Sequence, residues 1–274
     1  MEPRALRTGT LGIHERMITS NSKALIASIL FVHFSYASQA QRVAHMIVAL
    51  CDNVNQGIVK VPATIGNGQD PDRNLYWGAG CGVRHWFTRK SGEWTLLRKW
   101  GHPEDHILER VLWKHRSSDV YLIADAYDGA FIQQAINDVL DFAGGHAAKS
   151  VRVDSTTIHF GGAAGLIAYC GHDGLMEFAP PPVKPPANAA KRETIILACI
   201  GKRFFAEPLK ATGAQPLLWS TGLMSPEAYT LDAALQGWAR NETAAQVRER
   251  AAQAYHQWQK CGLSGARRLL VSGW

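Results

Sequence analysis

The sequence predicts an α/β fold: a three-layer, open, mostly parallel sheet with helices on both faces. Three observations predict it. Five short runs are hydrophobic throughout rather than at alternate positions, the mark of strands covered on both sides. Segments of helical period lie between several of them, which is the order of βαβ units. Each run ends at a Gly, an Asp or another break, as a strand feeding a crossover loop does. With 46% hydrophobic residues in 274, the chain can bury a substantial core.

Taken in order, Ala44 to Cys51 (AHMIVALC) is the first buried strand, closed by Asp52 and Asn53. Val120 to Ala124 (VYLIA) is the second and stops at Asp125. Residues 130–143 follow, with apolar positions 131, 132, 135, 136, 139, 140 and 142 on one helical face and Gly144-Gly145 as the stop. Leu166 to Cys170, Thr194 to Cys199 and Gln215 to Ser220 are the remaining strands. Between the third and fourth lies Pro180-Pro181-Pro182-Val183-Lys184-Pro185-Pro186, which can continue neither a helix nor a central strand and is expected to be a surface loop. Ser225-Pro226-Glu227 reads as an N-cap, a first-turn proline and an acidic residue opening a helix to about Arg240. Asn241 or Thr243 caps a last helix reaching about Lys260.

Residues 1–40 read as an address rather than as structure. From Met17 a polar stretch and Lys23 precede an apolar core, Ala24 to Val32, and then Ser38-Gln39-Ala40 with small residues at the −3 and −1 positions of a cut after Ala40. That core is shorter than the roughly 20 residues a bilayer requires, so no membrane anchor is expected after cleavage. Residues 1–16 make a poor n-region, which places the expected start at Met17. The expectation is a signal peptide at about 17–40, a single α/β domain over 41–274, and a periplasmic or secreted protein; a buried strand of a cytoplasmic protein is the alternative.

Composition removes other classes. The formal charge is +6, but no Lys/Arg run concentrates it, so no nucleic-acid partner is expected. There is no CxxC, HxH or HExxH, and neither a metal nor another cofactor is expected. Five cysteines leave at least one thiol unpaired or bridged between chains, and in an oxidising compartment such a thiol needs a reason. Cys51 and Cys170 end strands that would lie side by side; they form either a disulfide or two core thiols.

In open α/β sheets the chemistry collects beyond the carboxyl ends of the strands. The five exits carry Asp52-Asn53, Asp125, Gly171-His172-Asp173-Gly174, Cys199 and Ser220-Thr221-Gly222. His172 and Cys199 stand on consecutive strands, and a thiol with a nearby imidazole is a minimal apparatus for acyl transfer. The plainer readings are a buried, thiol-bearing core residue and a turn histidine bonded to local backbone.

"LIAYCGHDG" followed by "TIILAC" resembles the paired signature of the caspase-like cysteine peptidases, the group of caspases, legumain, gingipains and CHAT, and "GAQPLLWSTGLMSPEAYTLDAAL" resembles that group's next strand–helix unit. The resemblance covers roughly residues 44–240. It implies a caspase-like sheet and an endopeptidase acting on a peptide or protein, with Cys199 as nucleophile and His172 as acid/base. It also implies an oxyanion hole from the backbone N–H groups of Cys199 and of the glycine after the histidine. Here His172-Asp173-Gly174 is one residue longer than the usual His-Gly, so Gly174 or Asp173 takes that place or the chain is an inactive relative. Asp52 and Asp125 would suit a basic side chain by charge, or else cap loop N–H groups; Ser220 and Thr221 complete the substrate-facing set. Two other functions stay open. One is a caspase-like binding or scaffolding protein without chemistry. The other is a doubly wound nucleotide-binding protein using Gly78 to Gly82, a glycine-rich segment without the Lys-Ser/Thr of a phosphate loop. The aromatic residues Tyr76, Trp77, Trp86, Phe87, Trp94 and Trp100 form either a binding platform or ordinary packing.

Overall fold

A computed structural model describes residues 41–274. The expected signal segment therefore lies outside the described residues. Among the described residues the main sheet has eight strands: β1 (Arg42–Ala49), β2 (Trp94–Glu104), β3 (Ile107–His115), β4 (Val120–Tyr127), β7 (Leu166–Cys170), β8 (Glu193–Leu197), β9 (Gln215–Ser220) and β10 (Leu270–Val271). Their spatial order is β10-β9-β8-β7-β1-β4-β3-β2. β4, β1, β7, β8 and β9 run parallel, while β3, β2 and β10 add antiparallel edges. β5 (Ala148–Val153) and β6 (Thr156–Gly161) make a separate hairpin.

Strand alternation divides the core in two. Ala44, Met46 and Val48 of β1 face one layer, whereas Val43, Ile47 and Ala49 face the other. The first layer is built by α1 (Val83–Arg89), α4 (Ala228–Ala239), α5 (Ala244–Gln259) and α6 (Leu263–Leu269). The second is built by α2 (Ile132–Ala143), α3 (Gly201–Thr212) and the β5–β6 hairpin. This is the three-layer α/β architecture that the buried hydrophobic runs predict. None of the described helices is long and apolar enough to cross a membrane.

Several boundaries differ from the sequence expectation. β4 continues through Asp125 to Tyr127, because Arg110 stands directly opposite Asp125 in the β3–β4 ladder and neutralises it. β8 ends at Leu197, which leaves Cys199 in the turn beyond the ladder. α4 starts at Ala228 rather than at Ser225, because Glu227 is extended, at ψ 152°, and takes the N-cap position. Of the two candidate caps for α5, Thr243 is used, in a capping box with Gln246.

The aromatic-rich segment is used for packing. Trp86 lies edge-on to Tyr229 and Trp258, and the indole N–H groups of Trp86 and Trp94 both donate to the Asp232 carboxylate. The glycines at 78 and 82 fit tight backbone: a Cβ at either would lie within 2.6 Å of main-chain atoms of its own loop. The Val83, His85 and Trp86 N–H groups at the start of α1 already donate to the Tyr76, Trp77 and Gly82 carbonyls, so most of the donors of this helix start are engaged.

Candidate functional site

The site is assembled at the carboxyl ends of β7 and β8, neighbours in the sheet and parallel. β7 ends at Cys170, and Gly171 follows with φ +155°, where a Cβ would also press on the Ala49 carbonyl at 3.1 Å. His172 comes next. On the adjacent exit Cys199 occupies the turn between β8 and α3, and the residue after it, Ile200, is left-handed at φ +53°. A β-branched residue in that region is strained, and strain of this kind persists where the surroundings hold it. Here the Ile200 N–H donates to the Gly222 carbonyl, and the Ser220 hydroxyl accepts from the Gly201 N–H at 2.9 Å.

His172 and Cys199 wall the same cavity, of about 530 Å³, which the loop 57–61 and the segment 223–227 also line. Buried amides hold the long loop that carries residues 57–61: Asn74 pairs with both the N–H and C=O of Cys51, and Gln56 donates to the Leu50 and Gly129 carbonyls. His172 Nε2 is 2.5 Å from Glu177 Oε1, an oxygen that also accepts from the Gly57 N–H at 2.7 Å. Glu177 thus fixes the imidazole and ties it to the start of the loop 57–61. The Cys199 thiol is half-buried and lies 3.5 Å from both the N–H and the C=O of Met224, the N–H offering a donor to sulfur.

All five cysteines are free. Cys51 and Cys170 form no disulfide: Cys170 Sγ donates to the Pro226 carbonyl at 2.8 Å, and Cys51 lies against the Tyr76 hydroxyl. Burial pushes the Cys51 thiol up to about 11 and the Cys170 thiol higher still, so both are inert as nucleophiles. Burial also raises Cys81.

The other predicted site residues are placed elsewhere. Among the N–H groups of His172, Asp173, Gly174 and Cys199, none donates to another group among the described residues, but only His172 and Cys199 line the cavity. Gly174 is instead enclosed by Phe178 and Ile136. Asp52 is a loop cap, accepting from Val54 N, Asn55 N, Asn55 Nδ2 and Gln69 Nε2; burial opposes its charge, but these bonds hold its carboxyl below the usual range. Asp125 is fully buried in mid-strand, bonded to Arg110 and His45. Ser220 is buried and bonds the Ala198 carbonyl, and the Thr221 hydroxyl donates to the Arg268 carbonyl. Neither aspartate lines the cavity, nor does either of these hydroxyl residues.

Asp173 turns into the interior, where Oδ1 accepts from the Leu175 N–H and Oδ2 has no partner among the described residues. Burial, reinforced by Glu177, raises its carboxyl to about 7 from an ordinary 3.8. The folded state therefore holds this proton between those values, and the associated stability is complete below the lower one and lost as pH rises through 7. Asp173→Asn is expected to raise Tm by roughly 5 °C at pH 8 and to leave it unchanged near pH 4. Thermal unfolding at the two pH values checks this; an equal shift at both would refute it.

No protein-family model, curated protein or solved structure matches this chain. Among the described residues no group of three or more His, Cys, Asp or Glu is placed to hold a metal ion.

Sequence reasoning missed Glu177 and the loop 57–61. A carboxylate five residues after the histidine is a visible spacing, but it gains meaning only once the short turn at Gly174–Met176 brings it back onto the ring.

Proposed function

We propose that this chain is a cysteine peptidase of the caspase-like type. The observation that carries the reading is that His172 and Cys199, on the exits of adjacent parallel strands, wall one cavity while a carboxylate holds the histidine. A nucleophile, a base and a group that orients the base are the parts acyl transfer needs.

In the proposed reaction Cys199 gives its thiol proton to His172 Nδ1 and its Sγ attacks a peptide carbonyl carbon, forming the C–S bond. The N–H groups of Cys199 and His172 are the unengaged donors available to the oxyanion. With Nε2 committed to Glu177, Nδ1 is the nitrogen left to carry a proton to the departing amine as the C–N bond breaks. Water then attacks the thioester, giving its proton to His172 and releasing the acid and the thiol.

The test is labelling of the native protein with a peptidyl acyloxymethyl ketone, read by mass spectrometry. Cys199 is expected to be modified first, ahead of the exposed Cys261. Equal or slower modification of Cys199, with no peptide cut, would overturn the proposal and favour a binding protein. Glu177→Gln keeps an acceptor for Gly57 but removes the charge beside His172. It is expected to lower kcat by about 100-fold with KM little changed; a loss confined to KM or to Tm would show a structural role only.

Export belongs to the same proposal. N-terminal sequencing of the periplasmic or secreted form should begin near Gln41, and an intact Met1 or Met17 in the cytosol would refute it.

A further inference from the structure

The charge expected to select a basic substrate side chain is not in the cavity. Asp52 and Asp125 are buried elsewhere with their oxygens engaged, and both segments of the lining carry apolar side chains: Ile58, Val59 and Val61 from the loop 57–61, and Leu223, Met224 and Pro226 from the segment 223–227. Its charged groups besides His172 are Lys60, exposed at the rim, and Glu227, whose carboxylate already accepts from the Tyr229 hydroxyl at 2.6 Å and from Gln259 Nε2 at 3.1 Å. Both of these hydrogen bonds fall on Glu227 Oε2.

The mouth of the cavity exposes apolar surface. Val59 is 91% exposed, Leu223 74% and Met176 43%, and all three belong to its lining. Single exposed apolar residues are ordinary, but several converging on one concave site mark a place where an apolar ligand is desolvated. The volume, about 530 Å³, lies within the range of sites that enclose such groups.

We infer that the substrate is a peptide with a large aliphatic or aromatic side chain on the residue whose carbonyl meets Cys199, held between the loop 57–61 and the segment 223–227. This rests on the cysteine peptidase reading above. A charged side chain entering the same space would lose hydration against a mostly apolar lining, and the lining carboxylate, Glu227, already accepts two hydrogen bonds, so an apolar side chain is favoured over a charged one.

The experiment is turnover of fluorogenic peptides that differ only at that residue, with Leu, Phe, Met, Lys, Arg, Asp or Asn, alongside matched acyloxymethyl ketones. Leu, Phe and Met are expected to exceed the charged residues in kcat/KM by about 10- to 100-fold. Leu223→Lys, at an exposed position, is expected to leave Tm unchanged and to reduce kcat/KM for the Leu and Phe peptides at least about 10-fold. Fastest cleavage after Lys, Arg, Asp or Asn, with Cys199 still labelled, overturns the inference and leaves the peptidase reading standing. Absence of both labelling and cleavage overturns both.

Discussion

Replacing Cys199 with alanine is expected to reduce kcat on the best peptide by about 10⁴-fold or more while the protein stays folded. The sulfur is half-buried in a turn beyond the ladder, so its removal takes away no ladder hydrogen bond and no fully buried volume. His172→Ala should cost about 10²- to 10⁴-fold, and the double variant should be no slower than Cys199→Ala alone, because an acid/base has nothing to act on once the nucleophile is gone. Cys170→Ser is the control. Its thiol is buried, bonded to Pro226 and held protonated, so the change should alter stability and not the labelling of Cys199. Steady-state kinetics with far-ultraviolet circular dichroism measures all four. A fully active Cys199→Ala protein would end the mechanism.

The second large effect lies in the core. Asp125→Asn is expected to destabilise the fold by about 3–5 kcal/mol. The Asp125 carboxylate accepts from Arg110 Nε at 2.6 Å, Arg110 Nη2 at 2.8 Å and His45 Nε2 at 3.0 Å, and all three residues are buried. Asparagine leaves the Arg110 guanidinium in the interior with Glu104 as its remaining acid. Exchanging both partners for apolar residues, Asp125→Leu with Arg110→Met, should recover part of the loss, because no uncompensated charge remains. Urea unfolding of the three proteins tests this, and an Asp125→Asn midpoint equal to that of the parent chain would refute it.

The same cluster sets the acid limit of the fold. Burial pushes the Asp125 carboxyl up, but the Arg110 and His45 hydrogen bonds outweigh it and hold it at about 2, below its ordinary 3.8. Its contribution is therefore present above the ordinary value and lost as pH falls through about 2. His45 acts earlier. Burial lowers its affinity for a proton, and its Nδ1 has no partner among the described residues, so the ring takes up a proton more readily when unfolded than when folded. Stability should thus begin to fall as pH drops below the ordinary histidine value and fall again toward pH 2; urea midpoints across that range measure both steps.

The strands were legible because a parallel strand covered on both sides must be hydrophobic throughout, and β1, β7 and β9 appear where those runs stand. The exits of β7 and β8 were legible for the same reason, and with them the pairing of His172 and Cys199 at one edge. Asp125 was misplaced because a carboxylate after five apolar residues looks like a strand end. It becomes an interior residue only when β3 supplies Arg110 at the register opposite it. Asp173 and Gly174 were misplaced because their position in the motif says nothing about which way the turn faces, and Phe178 and Ile136 close over Gly174 on the far side.

By itself, then, the sequence determined the layers, the parallel core and the two strand ends that bring a thiol and an imidazole to one edge, since these follow from local hydrophobic periodicity. Tertiary structure decided everything that depends on a partner distant along the chain. It set Arg110 against Asp125, returned Glu177 to His172, and folded residues 57–61 over an apolar cavity, because register and loop closure are properties of the whole packed chain.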